Sequence, residues 1–571
     1  MDTHAYPGKG LSLSQLVFAL NEEIKRVACP PRFTLEEVSQ LDRDVSIALA
    51  SIREWKNSFV RINRIPMDIL SLLPHHLSSQ QDRFHAASVC RHWRKILLKC
   101  GALWSQVLLR KGEECVSTLL ERAKGSPLDI LFHRGAPAGT IALISPRAQQ
   151  IRCLELILVD WRDVIKFSEF NSGQLPLLRT LKIISPQFLD YVQPNAATSP
   201  FFGGSINLQQ FFFHSWKLPC LSHFVFPNLT TFELVSCPGE ECSASLLLDF
   251  LKSSPMLQTV KAKISAEVVL KDIPQKMVVV LPNAQTFSLR VCNDPTTQVY
   301  DMAAHVSCPR ARSTSLMHSM VNHRINGHLE IFPTSVSWNT ILRQYVASPI
   351  EEIALEIKSP EYDDVEGSLT FRSTDATSIR LCFKVDETGV NRDELHMGHD
   401  QIGWEIFSQA LTTIQDHPLL SHIKRLHLTC KVGAPSDYTM SRMSVKIREL
   451  FSSLGPLDEL TIYGCDLRIF LATFLDSSRL EDSEPPIVFP QIKKLAVLHV
   501  NPSMEFEENT ECMNAFVELA KSQHALGIPF ERVAVRTWRY PPGMADQLRP
   551  WVTAVDCHQE WWREQLAELG A

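Results

Sequence analysis

From about residue 150 onward the chain repeats one apolar signature, with aliphatic or aromatic residues at i, i+3 and i+5 and polar residues between them. It occurs at Ile151/Leu154/Leu156, Leu178/Leu181/Ile183, Leu208/Phe211/Phe213, Leu229/Phe232/Leu234, Leu257/Val260/Ala262 and Ala284/Phe287/Leu289. After a wide gap it resumes at Ile350/Ile353/Leu355, Ala376/Ile379/Leu381, Ile423/Leu426/Leu428, Leu457/Leu460/Ile462, Ile492/Leu495/Val497 and Phe530/Val533/Val535. The last two members of each triplet are two residues apart, the period at which strand side chains return to one face. The first member packs the turn leading in, and Pro227-Asn228, Pro282-Asn283 and Pro490-Gln491 mark that turn chemically. Helical periodicity fills the intervals at 244–252, 340–347, 402–414, 443–453, 467–475 and 513–524. Strands alternating with helices, all triplets running in one direction, predict a parallel sheet with helices outside it. The gap from Leu289 to Ile350 is read as a polar insertion over 308–328, followed by a degenerate strand at His328-Leu329-Glu330-Ile331.

The N-terminal stretch has a different period. Leu13, Leu16, Val17, Leu20 and Ile24 form one helical stripe, which Pro30-Pro31 interrupt. Thr34 with Glu37 three residues on has capping-box spacing, and Val38, Leu41, Val45, Ala48, Ile52 and Trp55 continue at near-heptad intervals. The expectation is a helix folded against the rest of the chain, with a short intermolecular coil as the alternative.

Between them, three short helical signals fit into about forty residues. Pro66 suits a first helical position, and Ile69, Leu70, Leu73 and Leu77 share an apolar face. Ser78-x-x-Gln81 has capping-box spacing for the second helix. Trp93, Ile96, Leu97 and Cys100 make the third stripe, and Trp104 closes the block. Pro74 ends or kinks the first helix near Leu73.

Ile65-Pro66-Met67-Asp68-Ile69-Leu70, then Val89-Cys90-Arg91-His92-Trp93-Arg94, then Leu103-Trp104 resembles the F-box, specifically that of the large mushroom-type fungal F-box/repeat proteins. Ile65 and Asp68 are mild substitutions in that family's pattern, and Pro74 stands where the family has Phe. The triplet core and several of its spacings, 21–30 residues over the first six, are similar to leucine-rich repeats. The fold expected is therefore α/β: an N-terminal helical segment at 1–60, a three-helix F-box at 61–110 and an irregular leucine-rich-repeat solenoid at 111–571. The resemblance implies docking on a Skp-type adaptor, and through it a cullin, by Ile65, Pro66, Ile69, Leu70, Leu73, Val89, Cys90, Trp93 and Trp104.

Composition narrows the function classes. The net charge of −6 over 571 residues argues against wholesale nucleic-acid or membrane binding, and no run of about 18 apolar residues is present. Fifteen cysteines are scattered without a C-x-x-C, as in a reducing compartment, so a cytoplasmic or nuclear protein is expected. From 52 to 111 eleven Lys or Arg stand against three Asp or Glu, a charge balance suited to the acidic adaptor of the family or to a solvated helical face. Nucleic-acid binding through this basic stretch is a third reading, which a steep salt dependence would reveal.

No phosphate loop, nucleophile elbow or H-E-x-x-H occurs, so neither enzyme activity nor a cofactor is expected. Cys237 with Cys242 is read as a reduced turn, His318/His323/His328 and His396/His399 as solvated loops, and Glu351-Glu352 with 361–366 as exposed edges. The functional expectation is a target receptor of an SCF-type ubiquitin ligase, the alternative an adaptor-bound scaffold that delivers no substrate. Target contacts are expected on outward strand residues and following turns at 236–241, 290–294, 429–432, 463–466 and 499–501, with Arg290, Tyr463 and His499 as anchors, or else on 308–328.

Overall fold

A computed structural model describes residues 13–27, 34–61, 65–70, 72, 76–77, 79–109, 112–133, 138–157, 175–185, 207–215, 225–236, 242–264, 268–269, 277–292, 298–321, 341–342, 344–345, 349–361, 364–386, 399–415, 422–431, 437–463, 491–498, 506–536 and 543–557. The chain divides into two compact units, one of 1–107 with 117–126 and one of 108–116 with 127–571. The first unit is helical and the second is built on a large, mostly parallel sheet.

In the first unit α1 spans Leu13–Val27 and α2 spans Leu35–Ser58. Thr34 caps α2 as its spacing predicts: Glu37 N–H donates to Thr34 Oγ1 at 3.3 Å and Thr34 N–H donates to Glu37 Oε2 at 2.8 Å. Among the described residues none of α2 is buried, Leu41 and Val45 being half-buried, so the close packing expected of α2 is not seen there. Four short helices follow, α3 (Met67–Leu70), α4 (Gln80–Ser88), α5 (Arg91–Leu97) and α6 (Gly101–Trp104), and the part of α7 (Glu113–Ala123) from 117 onward belongs to the same unit.

The second unit's strands come in sequence order as β1 (Leu128–His133), β2 (Ile151–Ile157), β3 (Thr180–Ser185), β4 (Gln210–Ser215), β5 (Thr231–Ser236), β6 (Thr259–Ile264), β7 (Thr286–Cys292) and β8 (Ser313–Val321). Each pairs in parallel with the next. The triplets stack in register: Leu154 faces Leu181, Leu181 faces Phe211, Phe211 faces Phe232, and Phe232 faces Val260. A repeated turn sets that register. The first triplet residue donates its N–H to a carbonyl three residues back, Leu178 to Leu175 (3.1 Å), Leu229 to Phe226 (3.2 Å), Leu257 to Ser254 (3.3 Å) and Ala284 to Leu281 (3.3 Å). Proline follows each acceptor, at Pro176, Pro227, Pro255 and Pro282, where its fixed φ suits the second turn position.

That turn occurs once more, Ala311 N–H to Cys308 carbonyl at 3.0 Å around Pro309, and overturns the reading of 308–328 as an insertion. It leads into β8, whose triplet is Ala311/Thr314/Leu316, all buried. Thr314 in place of an aliphatic residue hid the triplet in the sequence. His318 accordingly sits fully buried on this strand beside the Tyr300 ring, not in a solvated loop, while His323, His328 and the segment 328–331 lie outside the described residues.

The triplet strands keep the single direction expected of them, but a reversed strand that carries no triplet stands between two of them. β9 (Ile350–Glu361), β10 (Asp364–Ser373) and β11 (Ser378–Asp386) form an antiparallel meander, so 361–366 is mostly strand and not an edge loop. It is inserted in reverse: β8 pairs with β11, and β9 pairs with β12 (Arg425–Lys431), both in parallel. Ala376, expected in a core triplet, is exposed in the β10–β11 turn with φ +63, because the chain must reverse there. Sequential parallel pairing then resumes through β13 (Leu457–Tyr463), β14 (Ile492–Leu498), β15 (Arg532–Arg536) and β16 (Ala554–Cys557).

Helices cover the triplet face. α8 (Ala244–Lys252) matches its predicted bounds and buries Leu247, Leu248, Phe250 and Leu251. α9 (His399–Gln415), α10 (Asp437–Ser453) and α11 (Phe506–Ala525) extend the predicted helices toward their N-termini. Residues 341–342 and 344–345 are helical, and 467–475 lies outside the described residues. Phe211 is the centre of an aromatic cluster, 5.6 Å from Phe213, 5.3 Å from Phe226, 5.9 Å from Phe232 and 6.0 Å from Phe250. Phe211→Ala removes a fully buried ring that four others contact, and about 3–5 kcal/mol of stability should go with it. Denaturant melts of the full chain measure this, and a change under about 1 kcal/mol contradicts the packing described.

Candidate functional site

The candidate docking block is α3 to α6. Leu70 N–H donates to the Pro66 carbonyl at 3.0 Å, which closes the single turn of α3. The cap of α4 lies one residue beyond the one expected: Ser79 Oγ accepts from Asp82 N–H at 3.1 Å and donates to the Asp82 carboxylate at 2.6 Å. Cys90 caps α5, its sulfur accepting from Trp93 N–H at 3.5 Å.

Trp104 is the pin of the block. Its indole N–H donates to the Leu97 carbonyl at 2.9 Å, Phe84 packs at 5.6 Å, and the Arg122 guanidinium lies 5.1 Å above its ring centroid. Arg94 Nε of α5 donates to the Ala87 carbonyl of α4 at 3.2 Å, and Arg83 Nε of α4 donates to the Leu77 carbonyl in the segment before that helix at 3.1 Å. Gly101 is obligatory for close approach, since a Cβ there would meet Ala123 O at 2.6 Å.

The sequence-derived docking residues divide into two groups. Leu70, Trp93 and Trp104 are buried, with Leu97 and Leu103, and form the core of the block. Ile69 is 51% exposed and Val89 60%, with Pro66 exposed and Ile65 and Cys90 half-buried. Leu72 is also an exposed apolar side chain, as is Phe84, which helical spacing places on the second helix with Ala87 but which is not among the expected docking residues. A cleft of about 510 Å³ opens between Phe84, Ala87, Arg94, Leu98, Trp104 and Arg122. Leu73 and Pro74 lie outside the described residues.

In the second unit, the face of the sheet opposite the triplets is polar. Arg290 and Tyr463 occupy the same register row, through Arg290–Met317–Cys382–Ser368–Glu356–Thr429–Tyr463. Six strand spacings of about 4.8 Å put them about 29 Å apart, so one extended partner segment would be needed to touch both. His499 and most of the turns at 236–241, 290–294, 463–466 and 499–501 lie outside the described residues.

Ion pairs cross this face. Glu352, expected to be exposed, is buried on it, paired with Arg372 and with Arg425 Nε at 3.5 Å. His427 stands 4.0 Å from the same carboxylate, yet burial holds its pKa below the ordinary value against the pull of Glu352. Lys424 reaches Glu351 at 2.8 Å, and Lys182 reaches Glu155 at 2.6 Å. The two lysine pairs are partly exposed and each worth little in stability, and they leave a hydrogen-bonding surface across the strands.

Among the described residues no group of three or more His, Cys, Asp or Glu is placed to hold a metal ion, and no helix is long and apolar enough to cross a membrane. Cys237 and His396 lie outside the described residues, and Cys242 begins a short strand paired with Val268. Residues 62–110 match the F-box-like family, so the chain carries an F-box-like domain. No curated protein matches the chain.

The division between core and surface predicts opposite responses from adjacent residues. Leu70→Ala empties a site with 1% exposure and should lower the stability of the helical unit by about 2–5 kcal/mol. Ile69→Ala should change it by less than about 0.5 kcal/mol. Denaturant melts of the parent and both variants check this, and equal effects would contradict the burial pattern.

Proposed function

We propose that this F-box protein is the target-receptor subunit of an SCF-type ubiquitin ligase, docking on a Skp-type adaptor through α3 to α6 and capturing a target protein on the second unit. The observation that carries the reading is the F-box-like match over 62–110, on helices that keep a tryptophan core buried and apolar side chains exposed. F-box domains generally bind Skp-type adaptors, and Ile69, Val89 and Leu72 offer the desolvatable surface such docking requires. The adaptor would connect the chain to a cullin.

For the second unit, stacked triplets with helices on one side support an irregular leucine-rich-repeat-like arc. Its open polar face, with Arg290 and Tyr463 on one row, is the surface proposed for the target. No covalent step is assigned to this chain. Its contribution is proximity, which alone is worth several powers of ten in effective molarity. A reducing, cytoplasmic or nuclear setting fits cysteines that carry no disulfide among the described residues.

The test separates docking from folding. Ile69→Asp with Val89→Asp places two carboxylates at exposed positions, so the helical unit should melt as the parent does. Adaptor and cullin should be lost from affinity-purified full chain, by about tenfold or more in affinity, while the target remains bound. Undiminished adaptor capture would overturn the docking assignment. Accumulation of the captured target when the chain is deleted supports a degradative receptor, and an unchanged level means a scaffold.

A further inference from the structure

None of the 24 residues of α2 is buried, yet the helix carries an apolar seam in heptad spacing. Val38, Val45 and Ile52 take one seam position and Leu41, Ala48 and Trp55 the other. Exposure reaches 48% at Val38, 39% at Ile52 and 61% at Trp55, and Trp55 ends the seam edge-on against the equally exposed Phe59 at 4.9 Å. A helix of 24 residues, about 36 Å long, gains most of its stability in a protein from covering such a face.

Charge decides what covers it. The first half of α2, 35–46, carries Glu36, Glu37, Asp42 and Asp44 against Arg43, a net −3. The second half, 47–58, carries Arg53 and Lys56 against Glu54, a net +1. A second α2 laid parallel would set Glu37 against Asp42 twice, with no compensating pair of opposite sign flanking the seam. Laid antiparallel, it brings each acidic half beside the other's basic half. Seam residues then interleave with large side chains opposite small or branched ones: Val38 with Trp55, Leu41 with Ile52, and Val45 with Ala48.

We infer that α2 pairs with the α2 of a second copy of this chain as an antiparallel two-stranded coiled coil. The inference goes beyond the receptor reading and does not depend on it. A dimer carries two sheet units and two docking blocks, so a target with two recognition segments would be held with the effective concentration of a linked pair.

Sedimentation equilibrium on the purified full chain tests it directly. A monomer–dimer equilibrium within the nanomolar to tens-of-micromolar range is expected. Leu41→Glu with Ile52→Glu should leave only monomer, with an unchanged melting temperature of the sheet unit as the folding control. Asp42→Lys decides orientation from an exposed position. In the antiparallel pair it sets Lys beside Arg53 of the second copy and should raise the dissociation constant by about 5–10-fold. In a parallel pair it would face Glu37 and tighten the dimer, which overturns the inference. A parent chain that stays monomeric throughout also overturns it, and points to α1 of the same chain, or another partner, as the cover.

Discussion

The constraint on which the second unit depends is the register of one strand against the next. A strand whose inward side chains stand at i, i+3 and i+5 cannot bury them alone, because its neighbours supply two of the four walls. Leu181 is fully buried only because Leu154 and Phe211 lie beside it in register. The proline turn is what makes that register reproducible. By fixing the position of the first triplet residue relative to the strand, it stops the one-residue slip that would turn every core side chain to solvent. Asn283 links successive turns, donating to the Pro255 carbonyl at 3.2 Å, and Asn207 does the same to Pro176 at 2.7 Å.

The helical unit solves the opposite problem. Helices of four to nine residues have little apolar face, and most of their backbone groups are at an end. Here side chains supply what the helices lack. Arg83 and Arg94 satisfy carbonyls, Ser79 and Cys90 satisfy N–H groups, and Trp104 supplies both ring area and a donor. This is a chemical account of the Val-Cys-Arg-x-Trp-Arg pattern. Cys90 caps, Trp93 fills the core and Arg94 closes the preceding helix, so none of the three needs a catalytic role.

Much of this was legible in the sequence wherever a residue's type and its spacing point the same way. The bounds of α8, the Thr34 capping box and most of the triplets follow from periodicity alone. Thr314 broke the pattern because a threonine methyl can occupy an aliphatic site while its hydroxyl reads as polar. The β9–β11 meander was missed for a different reason. Val365, Leu369 and Phe371 alternate plainly, but alternation reports a strand's face and says nothing of its direction. In the docking block, spacing identified Leu70 and Ile69 together and could not say which is core, since a one-turn helix gives neighbouring residues no periodicity to separate them.

The meander also has a parity that the parallel sheet imposes. An antiparallel insertion offers both of its edges in the same direction only if it contains an odd number of strands. Three strands do this, and β11 and β9 therefore meet β8 and β12 in parallel register, Leu381 with Leu316 and Leu355 with Leu428. Two strands would leave one edge antiparallel and its core residues out of step with the triplets that follow. The reversal of order has its own consequence. The chain enters at β9, far from β8, and leaves from β11, far from β12, so both connections cross about 14 Å of sheet, three strand spacings each. The second crossing includes α9, whose Trp404, Phe407 and Leu411 are buried, and this explains why the longest spacing between triplets after the gap, 47 residues from Ala376 to Ile423, falls where it does.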